Sequence, residues 1–132
     1  MNPRIKQLWV DALKSGEYQQ TIGALRKDNS YCALGVLIDV YHKETGNGEW
    51  SPTIDNCYFF KIEYPPDLNL KGSYFYEIGQ GDLPNTIREW AELKTSNPLI
   101  KRWMRTSKTI SGLNDRERLS FKEIAKKIDK YL

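Results

Sequence analysis

Apolar residues recur at helical spacing near both ends of the chain. The first of these stripes follows Asn2, which can cap a helix, and Pro3, which suits a first helical turn. It ends before Gly16, a residue that commonly terminates helices. Ser120 and Glu123 form the S-x-x-E pattern of a capping box in front of the second stripe. The two stripes are Ile5, Leu8, Trp9, Ala12 and Leu13, and Phe121, Ile124, Ala125 and Ile128. The pattern predicts an amphipathic helix at each place.

A third stretch is apolar nearly all round, which predicts a central helix over 32–43. Asn29 or Ser30 would cap it. Gly35 costs about 1 kcal/mol inside a helix, so its presence predicts that another element packs closely against it. Residues 18–27 precede the turn signal D-N-S and lack helical periodicity, which predicts extended chain in a small hairpin.

Aromatic and β-branched residues dominate the middle of the chain. The segments CYFFKIEY (57–64) and YFYEI (74–78) predict two strands that pair as an antiparallel ribbon. The segments TGNGEWSP (45–52) and SGLND (111–115) are rich in small and polar residues, so they predict a loop and a turn.

Two shorter helices are predicted after this ribbon. One covers 83–93 and the other 96–105, each with a proline near its start, and Asn97 would cap the second. The chain length of 132 residues fits one domain. Together the elements predict an α+β fold, a single small domain (1–132) with about five helices around a small antiparallel sheet or ribbon.

Charge and cysteine content narrow the compartment and the partners. The formal net charge of +3 is too mild for a dedicated nucleic-acid-binding domain, and the basic segment 100–108 is interpreted as a solvated helix face around a core Trp103. No apolar run reaches the roughly 18 residues of a membrane span, and the N-terminus lacks the apolar stretch of a signal peptide. The sequence therefore predicts a cytoplasmic protein with no membrane partner, in which Cys32 and Cys57 are free thiols.

A Cys–His catalytic pair is the first chemistry to test. Cys32 and His42 are separated by about 15 Å along one helix, whereas a nucleophile needs its base within roughly 3 Å. The pattern favours a small buried thiol, although a cysteine at a helix N-terminus can have a lowered pKa. The sequence has no zinc spacing and no glycine-rich phosphate loop, so no metal or cofactor is predicted. Asp39 is predicted to face solvent or, as the preferred interpretation, to pair with a cation such as Arg26.

The start of the central helix is the favoured place for an anion. Free backbone N–H groups at Ser30, Tyr31 and Cys32 and the helix dipole would attract phosphate or carboxylate. The upstream extended segment would add the stacking, amide and guanidinium groups that a nucleotide-like ligand requires. The candidate ligand-binding residues are Tyr18, Gln20, Arg26, Tyr31 and Cys32, with Asn114 and Asp115 as outside candidates that turn and capping roles also explain.

Three motifs follow one another in the first third of the chain. They are W-x-x-A-L-x-S-G-x-Y-x-Q (9–20), L-R (25–26) and Y-C-x-L-G-V-L-x-D (31–39). With the later segments LPNTIREWAEL and LNDRERLSFKEIAKKI, this order resembles a group of short, uncharacterised proteins common in tailed-phage and prophage genomes. Residues 55–80 have no counterpart in that group, which predicts a β-ribbon insertion there.

The resemblance implies a phage-type small protein that acts on host defence in the cytoplasm of the host cell. The expected function is a binding protein that sequesters an anionic nucleotide-derived immune signal without catalysis. One alternative is a hydrolase that uses Cys32 or carboxylates. Another is a protein–protein inhibitor of a host factor that uses Trp50, Trp103 or the strand edges at 57–64. Weak DNA binding is the last alternative, and a homo-oligomer is compatible with each.

Overall fold

The computed structural model describes residues 1–63, 76–100 and 108–132. These residues contain five α-helices and eight short strands. The helices are α1 (Pro3–Lys14), α2 (Ala33–Thr45), α3 (Asn85–Trp90), α4 (Ile110–Asp115) and α5 (Phe121–Tyr131). The strands are β1 (Gln19–Gln20), β2 (Arg26–Lys27), β3 (Ser30–Tyr31), β4 (Glu49–Pro52), β5 (Cys57–Glu63), β6 (Tyr76–Gly79), β7 (Leu99–Ile100) and β8 (Lys108–Thr109). The combination confirms the predicted α+β class of small domain.

Six strands form one sheet in the order β1-β3-β2-β5-β4, and β6 also pairs with β5. β1 and β3 are parallel, whereas the other neighbours in this sheet are antiparallel. β7 and β8 form a separate antiparallel pair. The hairpin predicted before the central helix is the β2–β3 pair. The predicted ribbon is the β5–β6 pair, with residues 64–75 outside the described part of the chain.

Helix α2 forms the centre of the core. It is buried from Ala33 to Tyr41, as its apolar sequence predicts, and α1 packs against both α2 and α5. Trp9 of α1 is fully buried and donates its Nε1–H to the carbonyl oxygen of Ala33 at 2.9 Å. Gly35 confirms the predicted close approach, because a Cβ there would overlap the carbonyl oxygen of Leu25. None of the helices within the described ranges has the length and apolarity needed to cross a membrane.

The capping signals at both ends of the chain form as the sequence predicts. The side-chain oxygen of Asn2 accepts the N–H groups of Arg4 and Ile5 at 3.0 and 3.3 Å. At α5, the N–H of Ser120 donates to the Glu123 carboxylate at 2.9 Å, and the N–H of Glu123 donates to Ser120 Oγ at 3.3 Å. These signals act within one helical turn, so they need no tertiary partner.

The central helix has a different cap from the one predicted. Cys32 is the N-cap in extended conformation, and its Sγ accepts the N–H of Gly35 at 3.4 Å. The prediction of Asn29 or Ser30 as the cap is wrong, because Ser30 pairs with Lys27 in the β2–β3 hairpin. The strand pairing carries the chain past these residues before the helix begins.

A predicted loop and a predicted turn are regular elements. The segment 45–52 contains strand β4, because Trp50 lies opposite the buried Phe60 and this cross-strand aromatic pair outweighs the small polar residues around it. The segment 111–115 belongs to helix α4, because the Thr109 side chain accepts an N–H of the first turn at 3.1 Å and starts the helix. Both predictions are therefore wrong.

The prediction of a helix over 96–105 is also wrong for those of its residues that the structure describes. Its residues 99–100 form strand β7, which pairs with β8. Residues 101–107 lie outside the described part of the chain, and so does the interpretation of the basic segment around Trp103.

Candidate ligand-binding site

Strands β2 to β5 place a run of aromatic side chains beside Arg26. In the register of the strands, Arg26 lies opposite both Tyr31 and Tyr58, and Trp50 lies opposite Phe60. Tyr58 and Phe60 are two residues apart, so their side chains point to the same face. Phe60 is fully buried, whereas the neighbouring aromatic rings are half-buried. The face that builds the core therefore ends in a partly open aromatic margin.

This margin, together with the tyrosine that precedes β1, is here named the aromatic–arginine surface. It consists of Tyr18, Arg26, Tyr31, Trp50 and Tyr58. The ring centroids of Tyr18 and Tyr31 are 5.2 Å apart, and those of Tyr31 and Trp50 are 5.8 Å apart. Both pairs are edge to face, with interplanar angles of 89° and 73°, which is a favourable geometry for aromatic rings.

Arg26 lies on these rings, and no acidic side chain of the described residues forms an ion pair with it. Its Cζ is 4.3 Å from the ring centroid of Tyr58, 5.3 Å from that of Tyr31 and 5.6 Å from that of Trp50. Its Nε donates to the carbonyl oxygen of Asp28 at 2.8 Å. Within the described residues, its Nη1 and Nη2 groups have no hydrogen bond and the guanidinium has no ion pair. The side chain is held on one edge, and its two-pronged end is available.

The turn between β2 and β3 fixes the carbonyl group that holds Arg26. Asp28 has a φ of 50°, in the left-handed region that aspartate tolerates better than most residues. Its N–H donates to the carbonyl oxygen of Asn56 at 2.9 Å, which ties this turn to the turn between β4 and β5. The guanidinium is therefore oriented by backbone that two connected hairpins hold in place.

Asp39 lies beneath the aromatic–arginine surface and is 7% exposed. Its carboxylate accepts the hydroxyl of Tyr18 at 2.6 Å and the indole N–H of Trp50 at 3.2 Å. Lys43 forms an ion pair with it at 3.1 Å and donates to the Tyr18 hydroxyl at 2.9 Å. The predicted structural pairing of Asp39 is confirmed, but the predicted partner Arg26 is wrong. The cation is Lys43, one helical turn further along α2.

This network keeps its phenol and ammonium groups in their ordinary protonation states. Burial, followed by the hydrogen bond to Asp39, raises the pKa of Tyr18 to about 12. Burial and the charge of Asp39 also raise the pKa of Tyr31. The hydrogen bond to Tyr18 is the main cause of a raised pKa at Lys43. Both tyrosines are neutral and Lys43 is a cation at neutral pH.

The start of α2 does not present the free N–H groups that the sequence predicts. Ser30 and Tyr31 belong to strand β3, and the N–H of Cys32 donates to the carbonyl oxygen of Leu25 at 3.0 Å. The N–H of Ala33 donates to the Asn114 side chain at 3.3 Å. The protein's own groups therefore occupy this helix end, and the predicted anion site there is wrong.

Asn114 is fully buried and uses its whole side-chain amide within the fold. Its oxygen accepts from Gln20 Nε2 at 2.8 Å as well as from Ala33. Its amide nitrogen donates to the carbonyl oxygen of Thr21 and to Asp115 Oδ1 at 2.8 and 2.7 Å. These contacts connect α4 to β1 and α2, so Gln20, Asn114 and Asp115 have structural partners here.

Cys32 is a buried, protonated thiol. Burial raises its pKa to about 11, which outweighs the opposing hydrogen bond from the Gly35 N–H. The small buried thiol that the sequence favours is therefore confirmed, and the alternative of a lowered pKa at this helix end is wrong. Both Cys32 and Cys57 are free thiols, as predicted. His42 is further along the same helix, with its Nδ1 at 3.1 Å from the carbonyl oxygen of Asn47.

The predicted set of ligand-binding residues thus falls into two groups. The structure brings Tyr18, Arg26 and Tyr31 together on the aromatic–arginine surface. It places Gln20, Cys32, Asn114 and Asp115 at the closed start of α2. Sequence reasoning did not assign Trp50 and Tyr58 to a ligand site. The alternation in CYFFKIEY could have placed Tyr58 on the face of Phe60, whereas Trp50 needed knowledge of its strand pairing.

Two open cavities lie elsewhere, beside α4 and α5. One of about 420 Å³ is lined by Glu117, Leu119, Glu123, Lys126 and Lys127, and another of about 320 Å³ by Lys108, Thr109, Gly112, Arg116 and Glu117. Glu117, which forms an ion pair with Lys108, lines both of them. Among the described residues, no group of three or more His, Cys, Asp or Glu side chains could hold a metal ion.

The fold and the site define a small α+β domain whose sheet carries an arginine-bearing aromatic surface. A family model described as a domain of unknown function (DUF8296) matches residues 1–132, and the chain belongs to this family. No curated protein and no solved structure matches the chain.

Proposed function

We propose that this protein captures a small anionic, nucleotide-like ligand on the aromatic–arginine surface without transforming it. The observation that carries this proposal is the geometry of Arg26. Its guanidinium rests on three rings, its Nε is held by a backbone carbonyl, and its Nη groups are free within the described residues. A planar guanidinium with two free donors matches the oxygens of a phosphate or carboxylate bidentately.

The rings around Arg26 provide the second half of the recognition. Tyr31, Trp50 and Tyr58 are half-buried, so each is fixed by its neighbours and still offers surface to a ligand. A nucleobase can stack on such a ring, and this contact is worth roughly 1–3 kcal/mol per base. Because the rings are already ordered, binding would cost little conformational entropy.

The resemblance to phage and prophage proteins gives the proposal its setting. In that setting the ligand is a nucleotide-derived signal of host defence, which the protein sequesters in the cytoplasm of the host cell. No metal or cofactor takes part. The protein would lower the free concentration of the signal by binding alone, so it must be made in amounts comparable with the signal.

The arrangement of the thiol argues for binding over hydrolysis. A nucleophilic cysteine needs a populated thiolate and access to substrate. Cys32 is 5% exposed, its pKa is raised by burial to about 11, and its sulfur is engaged with Gly35. Of the two hydrolase versions that the sequence leaves open, the one that uses Cys32 is therefore disfavoured and the one that uses carboxylates remains.

Native mass spectrometry is the test, first on the protein as purified and then after mixing with nucleotide extracts from defence-activated cells. Retained mass in the nucleotide range, released unchanged on denaturation, is the expected result, and the same spectrum reports any homo-oligomer. Calorimetric titration should then show that Arg26→Ala binds the retained nucleotide at least about tenfold more weakly than wild type. Lys27→Ala is the matched control, because Lys27 is the adjacent, exposed cation. Equal losses in the two variants, or a released mass that has changed, would contradict the proposal.

Inhibition of a host protein is a second candidate, favoured by one exposed apolar side chain. Ile54 is 83% exposed at the tip of the turn between β4 and β5, where it could enter a pocket on a partner. In that case Ile54→Ser would abolish capture of a purified host factor, whereas Arg26→Ala would leave it intact.

A further inference from the structure

Asp39 is an acid buried in the apolar helix α2, and too little of it is exposed for it to bind a ligand itself. It is 7% exposed, and its neighbours Ile38 and Val40 are buried too. A buried carboxylate is costly unless its partners compensate for lost hydration. Its partners are Lys43 and two rings of the aromatic–arginine surface, Tyr18 and Trp50.

We infer that Asp39 is a positioning residue for this surface: it fixes Trp50, one of the three rings on which Arg26 rests, and Tyr18, which packs on a second, Tyr31. The inference rests on the proposed function and adds to it a residue that acts without touching the ligand. The two carboxylate oxygens are divided between the rings. Oδ2 accepts the Tyr18 hydroxyl at 2.6 Å, and Oδ1 accepts the Trp50 indole N–H at 3.2 Å.

The two rings so fixed both pack on a third. Tyr18 and Trp50 contact Tyr31 edge to face, with centroid distances of 5.2 and 5.8 Å. Tyr31 and Trp50 in turn carry the guanidinium of Arg26, at 5.3 and 5.6 Å. A continuous path of contacts therefore runs from the carboxylate, through the rings, to the arginine.

The sequence positions of these residues show why a helix residue is suited to this task. Tyr18 precedes β1 and Trp50 belongs to β4, so the two rings come from separate parts of the chain. The buried helix α2 lies between these two parts in the chain. Its Asp39 carboxylate therefore has a fixed position from which it can bond the Tyr18 and Trp50 side chains together. An apolar side chain at the same position could fill the space, but it could not orient a hydroxyl and an indole N–H.

The test compares Asp39→Asn with Glu44→Gln. Asparagine keeps the size of aspartate and one accepting oxygen, but its amino group cannot accept the second hydrogen bond. Glu44 lies on the same helix and pairs instead with Arg4, so it is a matched loss of charge away from the surface. The signals to follow are the indole N–H of Trp50 and the Nε–H of Arg26 in ¹⁵N–¹H NMR spectra, and the affinity for ADP as the probe.

We expect Asp39→Asn to shift both NMR signals and to weaken ADP binding roughly fivefold to tenfold, which is the size of effect expected from the loss of one ordinary hydrogen bond. Glu44→Gln should change neither. Ile5→Val, a buried change in α1, controls for stability, because it should lower the melting temperature without moving the signals or the affinity.

The outcomes separate the inference from the proposed function. Unchanged Trp50 and Arg26 signals in Asp39→Asn, or shifted signals with unchanged ADP affinity, would overturn the positioning role while leaving Arg26 as the ligand-binding residue. Failure of wild type to bind ADP or any nucleotide of the extracts would count against the proposed function itself. The two NMR signals would then still decide whether Asp39 sets the place of Arg26.

Discussion

The aromatic–arginine surface and the closed start of α2 are neighbours in the chain, since Tyr31 of β3 belongs to the first and Cys32 to the second, yet they use their polar groups in opposite ways. At the closed start, the Asn114 side chain donates two hydrogen bonds and accepts two from within the protein. On the aromatic–arginine surface, the Arg26 side chain donates its Nε–H to the carbonyl oxygen of Asp28 and has no other hydrogen bond within the described residues. One region is complete without a ligand, and the other has donors to spare.

The contrast shows that residue type alone does not identify a binding site. Gln20 and Arg26 are polar candidates from the same extended segment, and the sequence alone does not separate them, whereas it gives Asn114 only as an outside candidate. The hydrogen bonds separate them: the buried Asn114 amide is fully satisfied within the fold, and Gln20 Nε2 donates to Asn114 and to the carbonyl oxygen of Leu119. A buried polar group that is already satisfied has nothing left to offer a ligand.

Gly35→Ala should give the largest effect, on the closed side. A Cβ at this position would overlap the backbone carbonyl of Leu25, which cannot move without shifting the hydrogen bond from Cys32. We expect a loss of about 4 kcal/mol in the free energy of unfolding, measured by urea denaturation. Gly81→Ala is the control, since a Cβ there meets nothing within 4 Å and the change should be nearly neutral. Similar midpoints for the two variants would refute the close packing.

Asn114→Ala should cost about 3 kcal/mol, because it leaves the buried N–H of Ala33 and the partly buried carbonyl oxygen of Thr21 without their hydrogen bonds. Asn29→Ala, at an exposed turn position, should change the same unfolding free energy by less than about 0.5 kcal/mol. If the proposed function holds, folded Asn114→Ala should bind nucleotide as wild type does. A selective loss of affinity would instead return Asn114 to the binding site.

The sequence predicts best those elements whose signals are local. Asn2 and the Ser120–Glu123 capping box define α1 and α5 because caps and stripes act within a few residues. Strand β4 and helix α4 escape prediction, because Trp50 takes strand geometry only through its pairing with Phe60, and small residues such as Gly112 read equally well as a turn.

The candidate site follows the same rule: the residues that are close in sequence were predicted, and those that strand pairing brings in were not. Tyr18, Arg26 and Tyr31 were expected together because the segment around them leads into the central helix. Trp50 and Tyr58 join them only through the register of β5, which no local pattern contains. The partner of Asp39 could have been found, since Lys43 is four residues along the same helix and this spacing favours an ion pair.

The pH dependence of stability should also reveal the buried thiol of Cys32 at the closed start of α2. Burial raises the pKa of Cys32 from 9.0 to about 11, so the unfolded thiol ionises first as the pH rises. Below pH 9 this contribution to stability is fully present, and it declines as the pH rises toward 11, by roughly 3 kcal/mol in all. Urea denaturation at pH 8 and pH 10 should show a fall about 1.4 kcal/mol larger in wild type than in Cys32→Ser. Serine keeps a capping oxygen but does not titrate, so parallel falls would contradict a protonated buried thiol.

Of these changes, Arg26→Ala should have the smallest effect on the free energy of unfolding. This small effect would distinguish the aromatic–arginine surface from the closed start of α2. The variant loses contacts with half-exposed rings and one hydrogen bond to Asp28, and it breaks no ion pair within the described residues. We expect the free energy of unfolding to fall by about 1 kcal/mol or less, because cation–π contacts at such sites are weak. Arg26→Lys retains the charge and should be nearly as stable as wild type, yet it lacks the two-pronged donor geometry, so nucleotide affinity should fall in both variants. A loss of stability in Arg26→Ala as large as that of Asn114→Ala would mean that the arginine, like the asparagine, exists to complete the fold. A small loss of stability with a large loss of affinity would mean that its free donors are kept for a ligand.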